Sequence, residues 1–494
     1  MPSAEAGPAG GGPGVVVCVD LGSTFTKGLL VDLATGDVAA VASSRTTVGT
    51  DVMDGFDAVV DALAAADPRT SRALRSGAVR ACSSAGGGLR IAVVGNEALV
   101  TAEAGRRVAL SSGGKVVAVL ALSEDARGED LADARPDVVL LVGGTDGGNP
   151  AALRQGAALV AGAAWEGPVV VAGNVEVRDE VVAGLTAAGH ACVAADNVVP
   201  RIGVLAPTGA RTAVREVFLA HVIGGKGLSS RPDFTALVRG ATPDVVLTGV
   251  ELAARGTAED AGAGDLVVVD VGGATTDVHS VVEIDPDSTG GGEANGGLSR
   301  EVVAPTPLTR TVEGDLGMRW SAPDTVVAAG LADDAGLVAA AAARRSEPGL
   351  LPAEGPAGES ERAVDERLAA AAAGLALRRH AGRSRVFTGP DGRVVERSGT
   401  DLREVRVLVA SGGVFRHGRP GVETRVLADS TGEAGAEGGW QLPQRPRVVV
   451  DSDSRLAAVG LLAADHPAAA LRLARGLVGP PPGSAGAGDR PDRE

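Results

Sequence analysis

Apolar residues in this chain fall in short dense runs, most of them closed by glycine, serine, threonine or aspartate. The first run, 15–19, reaches Asp20, and a small-residue turn, Leu21-Gly22-Ser23-Thr24, leads into a second apolar run at 28–31. Short apolar runs bounded by turn residues read as strands, so this stretch predicts a β-hairpin. A third strand is predicted at 37–45, a helix at 54–65 and a further strand at 77–83 that ends in the Gly/Ser loop 82–90, which reads equally as a ligand-facing loop and as a tight connection.

From 90 to 199 the pattern alternates. Strands are predicted at 90–94, 115–121, 137–142, 168–172 and 190–194, with helices at 99–110, 124–133, 151–161 and 176–188. Strand–helix alternation of this length implies right-handed βαβ crossovers and a parallel sheet. The Gly-rich loop 143–149, with Thr145 and Asp146, follows a strand where ligands are often met. It reads equally well as a turn that caps the next helix.

The helix predicted at 208–222 is a candidate crossing element between lobes. A strongly apolar strand at 264–271 then repeats the opening design. It ends in Asp270, turns on Gly272-Gly273-Ala274-Thr275-Thr276 and returns as a strand at 277–283. The Gly/Asp-rich loop 285–299 is expected on the surface and mobile. Charge and glycine crowd 309–319; Ala-rich helices follow at 324–345 and 361–379, separated by a linker at 346–359. A strand at 404–410 runs into Ser411-Gly412-Gly413, and a last strand, 447–450, leads through Asp451 to a helix at 455–464. The resulting division is a disordered leader (1–14), a first lobe with the first hairpin (15–89), an inserted α/β segment (90–200), a second lobe (201–465) and a mostly disordered tail (466–494).

Composition narrows the function. A chain of 494 residues is too long for one core. The net charge of −16 and 2% aromatics argue against nucleic-acid and anionic-membrane surfaces, which need basic patches and stacking platforms. No apolar stretch approaches the roughly eighteen residues of a transmembrane helix. The leader lacks a basic and an apolar region, so it is no signal peptide and a cytoplasmic protein is expected. Cys18, Cys82 and Cys192 stand far apart in apolar runs, which suits buried thiols better than a disulfide framework or an iron–sulfur centre. Lysine occurs only at 27, 115 and 226, so Lys27 beside a small-residue turn stands out.

The two Asp-ended hairpins gain meaning together. A small-residue turn offers backbone N–H groups and hydroxyls to a phosphate, and a carboxylate at the strand end can hold a hydrated divalent cation beside it. Two such hairpins from two lobes form a clamp on one polyphosphate, and the pair Gly412-Gly413 lets backbone approach a nucleoside. Asp20 and Asp270 are therefore the candidate metal and catalytic carboxylates, with Lys27 as a point charge. Gly22, Ser23, Thr24, Gly272, Gly273 and Thr275 are candidate phosphate contacts, and Ser411, Gly412 and Gly413 candidate nucleoside contacts. Either Asp20 or Asp270 is the candidate to orient an attacking water.

This pattern resembles the actin-like ATPase superfamily of sugar and acetate kinases and heat-shock chaperones: an α/β, two-lobed fold, here with an inserted parallel α/β segment. The blocks TTVGTDVMDG (46–55), CSSAGGGLR (82–90), LLVGGTDGGN (140–149), VVAGN (170–174), NVVP (197–200) and TVEGDLGMR (311–319) resemble the GlmL family more narrowly. These are accessory proteins of glutamate mutase (methylaspartate mutase), also called MutL and unrelated to mismatch repair. The resemblance spans about 15–465. It implies ATP and Mg²⁺ as cofactors and an adenosylcobalamin-dependent mutase as client. The implied role is a weak ATPase that acts as a reactivating chaperone, exchanging damaged cobalamin. A small-molecule kinase with the same clamp and a nucleotide-binding scaffold without turnover are the alternatives. An iron–sulfur activase of this superfamily is disfavoured for want of paired cysteines.

Overall fold

The computed structural model describes residues 14–96, 101–122, 127–283, 306–389 and 392–480. The leader (1–13), the loop expected at 285–299 and the last residues of the tail (481–494) lie outside them.

Strands β1 (Val15–Leu21), β2 (Phe25–Asp32) and β3 (Val38–Arg45) form an antiparallel meander, and β4 (Val79–Ser83) lies parallel to β1 on its other side. The chain then leaves this sheet. β5 (Leu89–Gly95), β6 (Gly114–Ala121), β7 (Val138–Leu141), β8 (Val169–Val171) and β9 (Cys192–Ala194) build a separate, wholly parallel sheet in the order β6-β5-β7-β8-β9. Helices Thr101–Ser111, Gly128–Ala134, Ala151–Gly162 and Val175–Ala187 connect its strands, as the alternating pattern predicts.

β10 (Val238–Ala241) returns to pair with β4 and completes a first sheet, β10-β4-β1-β2-β3. β11 (Leu266–Val271), β12 (Thr276–Val281) and β13 (Leu308–Glu313) open a second meander. A hairpin follows, β14 (Ser384–Gly389) and β15 (Gly392–Arg397). β16 (Val407–Ser411) and β17 (Arg447–Val450) then join β11 in parallel. The second sheet reads β13-β12-β11-β16-β17. Both sheets thus follow one plan, three antiparallel strands and then two parallel ones.

Central strands of such sheets are covered on both faces, which explains their unbroken apolar sequence. In β11, Leu266 and Val268 enter one core while Val267, Val269 and Val271 enter the other. Each buried valine contributes roughly 1.5–3 kcal/mol by leaving water. The helices Thr242–Arg255 and Arg455–Leu462 follow the last strand of each sheet and pack on one another. They meet at glycines: a Cβ on Gly249 would stand 2.2 Å from the Leu456 carbonyl oxygen, and one on Gly460 1.9 Å from that of Val245.

Three expectations need correction. The lobe boundary at 200 fails, because β10 belongs to the first sheet. The helix beginning at Thr208 packs on β7, β8 and β9 and on the helix Thr101–Ser111, so Thr242–Arg255, which touches both β10 and β11, takes the crossing role. The tail placed at 466–494 starts with an ordered helix, Pro467–Val478, whose Arg472 donates to the Leu33 carbonyl of the first lobe at 2.9 Å.

Candidate functional site

The β1–β2 register sets Asp20 directly opposite Lys27, so both side chains leave the same face. Lys27 Nζ lies 4.0 Å from Asp20 Oδ2. Asp20 is only 8% exposed, and its other oxygen, Oδ1, accepts a 2.7 Å hydrogen bond from Thr242 Oγ1. The Cys82 thiol approaches the same oxygen at 3.7 Å, and burial pushes that thiol well above its ordinary pKa. The carboxylate is therefore divided: Oδ1 is anchored in the lobe and Oδ2 faces Lys27. In the turn, a Cβ on Gly22 would stand 2.6 Å from the Phe25 carbonyl oxygen, so only glycine fits. Ser23 is exposed and Thr24 half-buried.

The second hairpin repeats this with different partners. Asp270 lies opposite Asp277 in β12 and opposite Ser411 in β16. Burial pushes its carboxyl pKa up; Lys27 and a Ser411 hydrogen bond oppose the rise, while the charges of Asp277 and Asp20 add to it. Gly272 closes the turn by donating to the Thr275 carbonyl at 2.9 Å. The outer carbonyls of the turn are taken by one neighbouring segment. Met318 N–H donates to Gly272, Arg319 N–H to Gly273 and Ser321 Oγ to Ala274, at 3.0, 2.8 and 2.7 Å. This buttress is part of the TVEGDLGMR block and the residues just after it.

The two turns face each other. A Cβ on Gly273 would stand 3.9 Å from Thr24 Oγ1 of the opposite lobe. The Lys27 charge acts on Asp270, Asp451 and His417, all from the second half of the chain. Asp20, Lys27, Asp270 and both turns are therefore brought together in one cleft. Ser411 is brought there too, with its hydroxyl engaged by Asp270. Gly412 holds φ at 118°, and a Cβ there would meet the Val271 oxygen at 2.3 Å; around Gly413 the space is open.

Four residues near the site carry no sequence prediction of a site role. Thr242 follows β10 directly and anchors Asp20; the only local signal is a Thr-Pro helix start. Asp277 lies inside the second motif, opposite Asp270. Arg319 packs against the second turn and forms a two-pronged pair with the buried Asp365. Asp451 caps the helix Arg455–Leu462 through the N–H groups of Arg455 and Leu456, as its sequence suggests, yet it also faces Lys27. Asp146 and Asp315, by contrast, are engaged structurally. Asp146 accepts from Val175 N–H and the Asn197 amide, and Asp315 pairs with Arg379.

The donor chemistry suits a hydrated divalent cation. Asp20 and Asp270 are hard oxygen donors, and Asp270 feels the charges of Asp20, Asp277 and Lys27. Among the described residues no three His, Cys, Asp or Glu side chains form a ready metal cage. A cation here would rely on phosphate oxygens and water for most of its shell, which is the habit of Mg²⁺. Nor, among the described residues, is any helix long and apolar enough to cross a membrane.

Two lobes on one sheet plan, each presenting an Asp-ended hairpin to a common cleft, define the actin-like ATPase fold. The family is shown by sequence. The model of the MutL protein family matches residues 16–477, and the chain belongs to that family. Protein MutL of Clostridium tetanomorphum is 34% identical over 468 residues, covering 92% of this chain and 97% of its own. Among solved structures, an acetone carboxylase aligns over 92% of this chain and 70% of its own at 14% identity and a TM-score of 0.36. The activator of 2-hydroxyisocaproyl-CoA dehydratase from Clostridium difficile aligns over 92% and 95% at 10% identity and a TM-score of 0.29. These two likenesses are distant.

Proposed function

We propose that the protein is an ATP-dependent reactivating chaperone for an adenosylcobalamin-dependent mutase of the glutamate mutase type. The observation that carries the nucleotide part is the approach of Gly273 to Thr24 across a cleft that also holds Asp20, Lys27 and Asp270. The client part rests on the resemblance to the mutase accessory proteins.

In this reading Ser23, Thr24, Gly273 and Thr275 donate to phosphate oxygens, and the glycines at 412 and 413 receive the nucleoside. Asp20 and Asp270 would hold Mg²⁺ through its water shell, where it neutralises phosphate charge. Lys27 offsets charge developing on the γ-phosphoryl group. Asp20 or Asp270 orients the attacking water; each already accepts one hydrogen bond, from Thr242 and from Ser411 respectively. Water oxygen bonds to the γ-phosphorus, the bond to the bridging oxygen breaks, ADP leaves and the released proton passes to solvent. Loss of the bridging phosphate contacts frees the lobes to move, and the inserted sheet carries that motion to the client.

The test is reactivation. Inactivated mutase, fresh adenosylcobalamin, Mg²⁺ and ATP are mixed with the protein, and turnover of the mutase is followed. Recovery that needs hydrolysable ATP supports the reading. Phosphate transfer from labelled ATP to a sugar or carboxylate, with no recovery of any mutase, would replace it with a kinase.

A further inference from the structure

We propose that Arg310 is a positioning residue that links the second phosphate hairpin to the inserted sheet; this rests on the nucleotide reading above. Arg310 lies in β13 with its side chain 3% exposed. Its Nη2 and Nε bind Asp277 Oδ1 at 2.5 and 3.0 Å. Its Nη1 donates to the carbonyls of Leu110 and Gly114 at 2.7 and 3.1 Å. Leu110 is in the last turn of the helix Thr101–Ser111, and Gly114 opens β6, so both carbonyls belong to the insert.

The chemistry explains why this contact transmits rather than yields. The last carbonyls of a helix lack partners within it and carry the negative end of the helix dipole, so a guanidinium there is doubly favoured. The planar fork fixes the direction of every bond it makes. A buried guanidinium that lost one side would leave a charge or carbonyls uncompensated. Asp277 and the end of that helix therefore move together. Asp277 in turn accepts from Thr275 Oγ1 at 3.1 Å, and Thr275 belongs to the phosphate turn. The chain of contacts runs from the turn through Asp277 and Arg310 to the insert, with no gap.

Two neighbours support the assignment. His279 lies opposite Arg310 in the β12–β13 register, is buried with Nδ1 lacking a hydrogen-bond partner, and is held well below its ordinary pKa by burial and by Arg310. It stays neutral and does not compete for Asp277. Just past β13, a Cβ on Gly314 would stand 3.1 Å from Lys115 Nζ of β6, so the insert lies along this edge of the second sheet.

Amide hydrogen exchange of the full chain tests this, with and without a non-hydrolysable ATP analogue and Mg²⁺. In the wild type, the analogue should slow exchange across 101–121 by about fivefold or more, the scale of an ordinary allosteric coupling. Arg310→Met should bind the analogue with an affinity within about threefold of wild type yet lose that protection. Arg310→Lys, which keeps the charge without the fork, should regain part of it, and it replaces the Met variant if that fails to fold. Wild type that binds the analogue with no change in the insert overturns the proposal. So does an Arg310→Met protein with full protection, or one that folds but no longer binds. Wild type that binds no analogue refutes the nucleotide reading instead.

Discussion

Thr242 Oγ1 donates to Asp20 Oδ1 at 2.7 Å across a separation of 222 residues. The strand before Thr242, β10, is the last of the first sheet, and Thr242 therefore sits where Asp451 sits after the last strand of the second sheet. Thr242 binds its hairpin aspartate, whereas Asp451 accepts from the N–H groups of Arg455 and Leu456. Thr242→Ala removes the donor and leaves a nearly buried carboxylate short of one hydrogen bond. A loss of about 1–3 kcal/mol in urea denaturation is expected, with ATPase turnover falling about tenfold while the Km for ATP changes less. Unchanged turnover would remove Thr242 from the site.

The paired aspartates should be the most sensitive positions. Asp20→Ala and Asp270→Ala are each expected to lower ATPase kcat by about 100-fold or more. Lys27→Met should lower it by a smaller factor, since one of several charges is lost. A steady-state phosphate-release assay on the three variants ranks them, and near-normal rates in both aspartate variants would sink the clamp.

Gly273 and Gly412 predict opposite outcomes. A Cβ at 273 meets Arg319 carbons at 3.5 Å and Thr24 Oγ1 at 3.9 Å, ordinary contact distances. Gly273→Ala should fold normally and weaken nucleotide binding. At 412 the same methyl would stand 2.3 Å from a backbone oxygen, at a φ of 118°. Gly412→Ala should lower the melting temperature sharply, with a cost above about 1 kcal/mol. Calorimetry and analogue titration of the two proteins separate the effects.

Acid should unfold the second lobe through a histidine. His380 is 2% exposed, and both ring nitrogens are bonded, to Ser280 Oγ at 2.8 Å and Thr311 Oγ1 at 3.0 Å. Burial lowers its pKa from 6.5 to about 3. Below 6.5 the unfolded chain takes up a proton that the folded chain refuses, so stability falls as pH drops from 6.5 toward 3. The slope is about 1.4 kcal/mol per pH unit for this one group. His380→Gln should be less stable at neutral pH and lose less on acidification; parallel pH curves for the two proteins would contradict the assignment.

Asp365 holds two guanidiniums, Arg319 at 2.9 Å and Arg344 at 2.6 Å, in the interior of the second lobe. Asp365→Ala leaves Arg319 without its carboxylate and Arg344 with Glu361 alone. A loss of about 3–5 kcal/mol is expected by chemical denaturation. Because Arg319 N–H also buttresses the Gly273 carbonyl, nucleotide affinity should fall with it. The isosteric Asp365→Asn should be milder, since it keeps an acceptor.

The sequence by itself determined the parts whose physics is local. Apolar runs ending in aspartate and small-residue turns dictate both hairpins, because strand period, turn sterics and the Asp20–Lys27 pairing all lie within one short segment. The alternating pattern from 90 to 199 dictates the parallel insert for the same reason, and the repeated design makes the cleft legible. Only the tertiary structure decided which lobe owns β10, that Thr242 anchors Asp20, and that Arg310 joins Asp277 to the insert. These depend on sheet register and on contacts between residues 33 to 222 positions apart. A charged residue such as Arg310 looks like solvated surface in sequence. Its burial is affordable only where Asp277 and the carbonyls of Leu110 and Gly114 converge, and that convergence exists only in the folded chain.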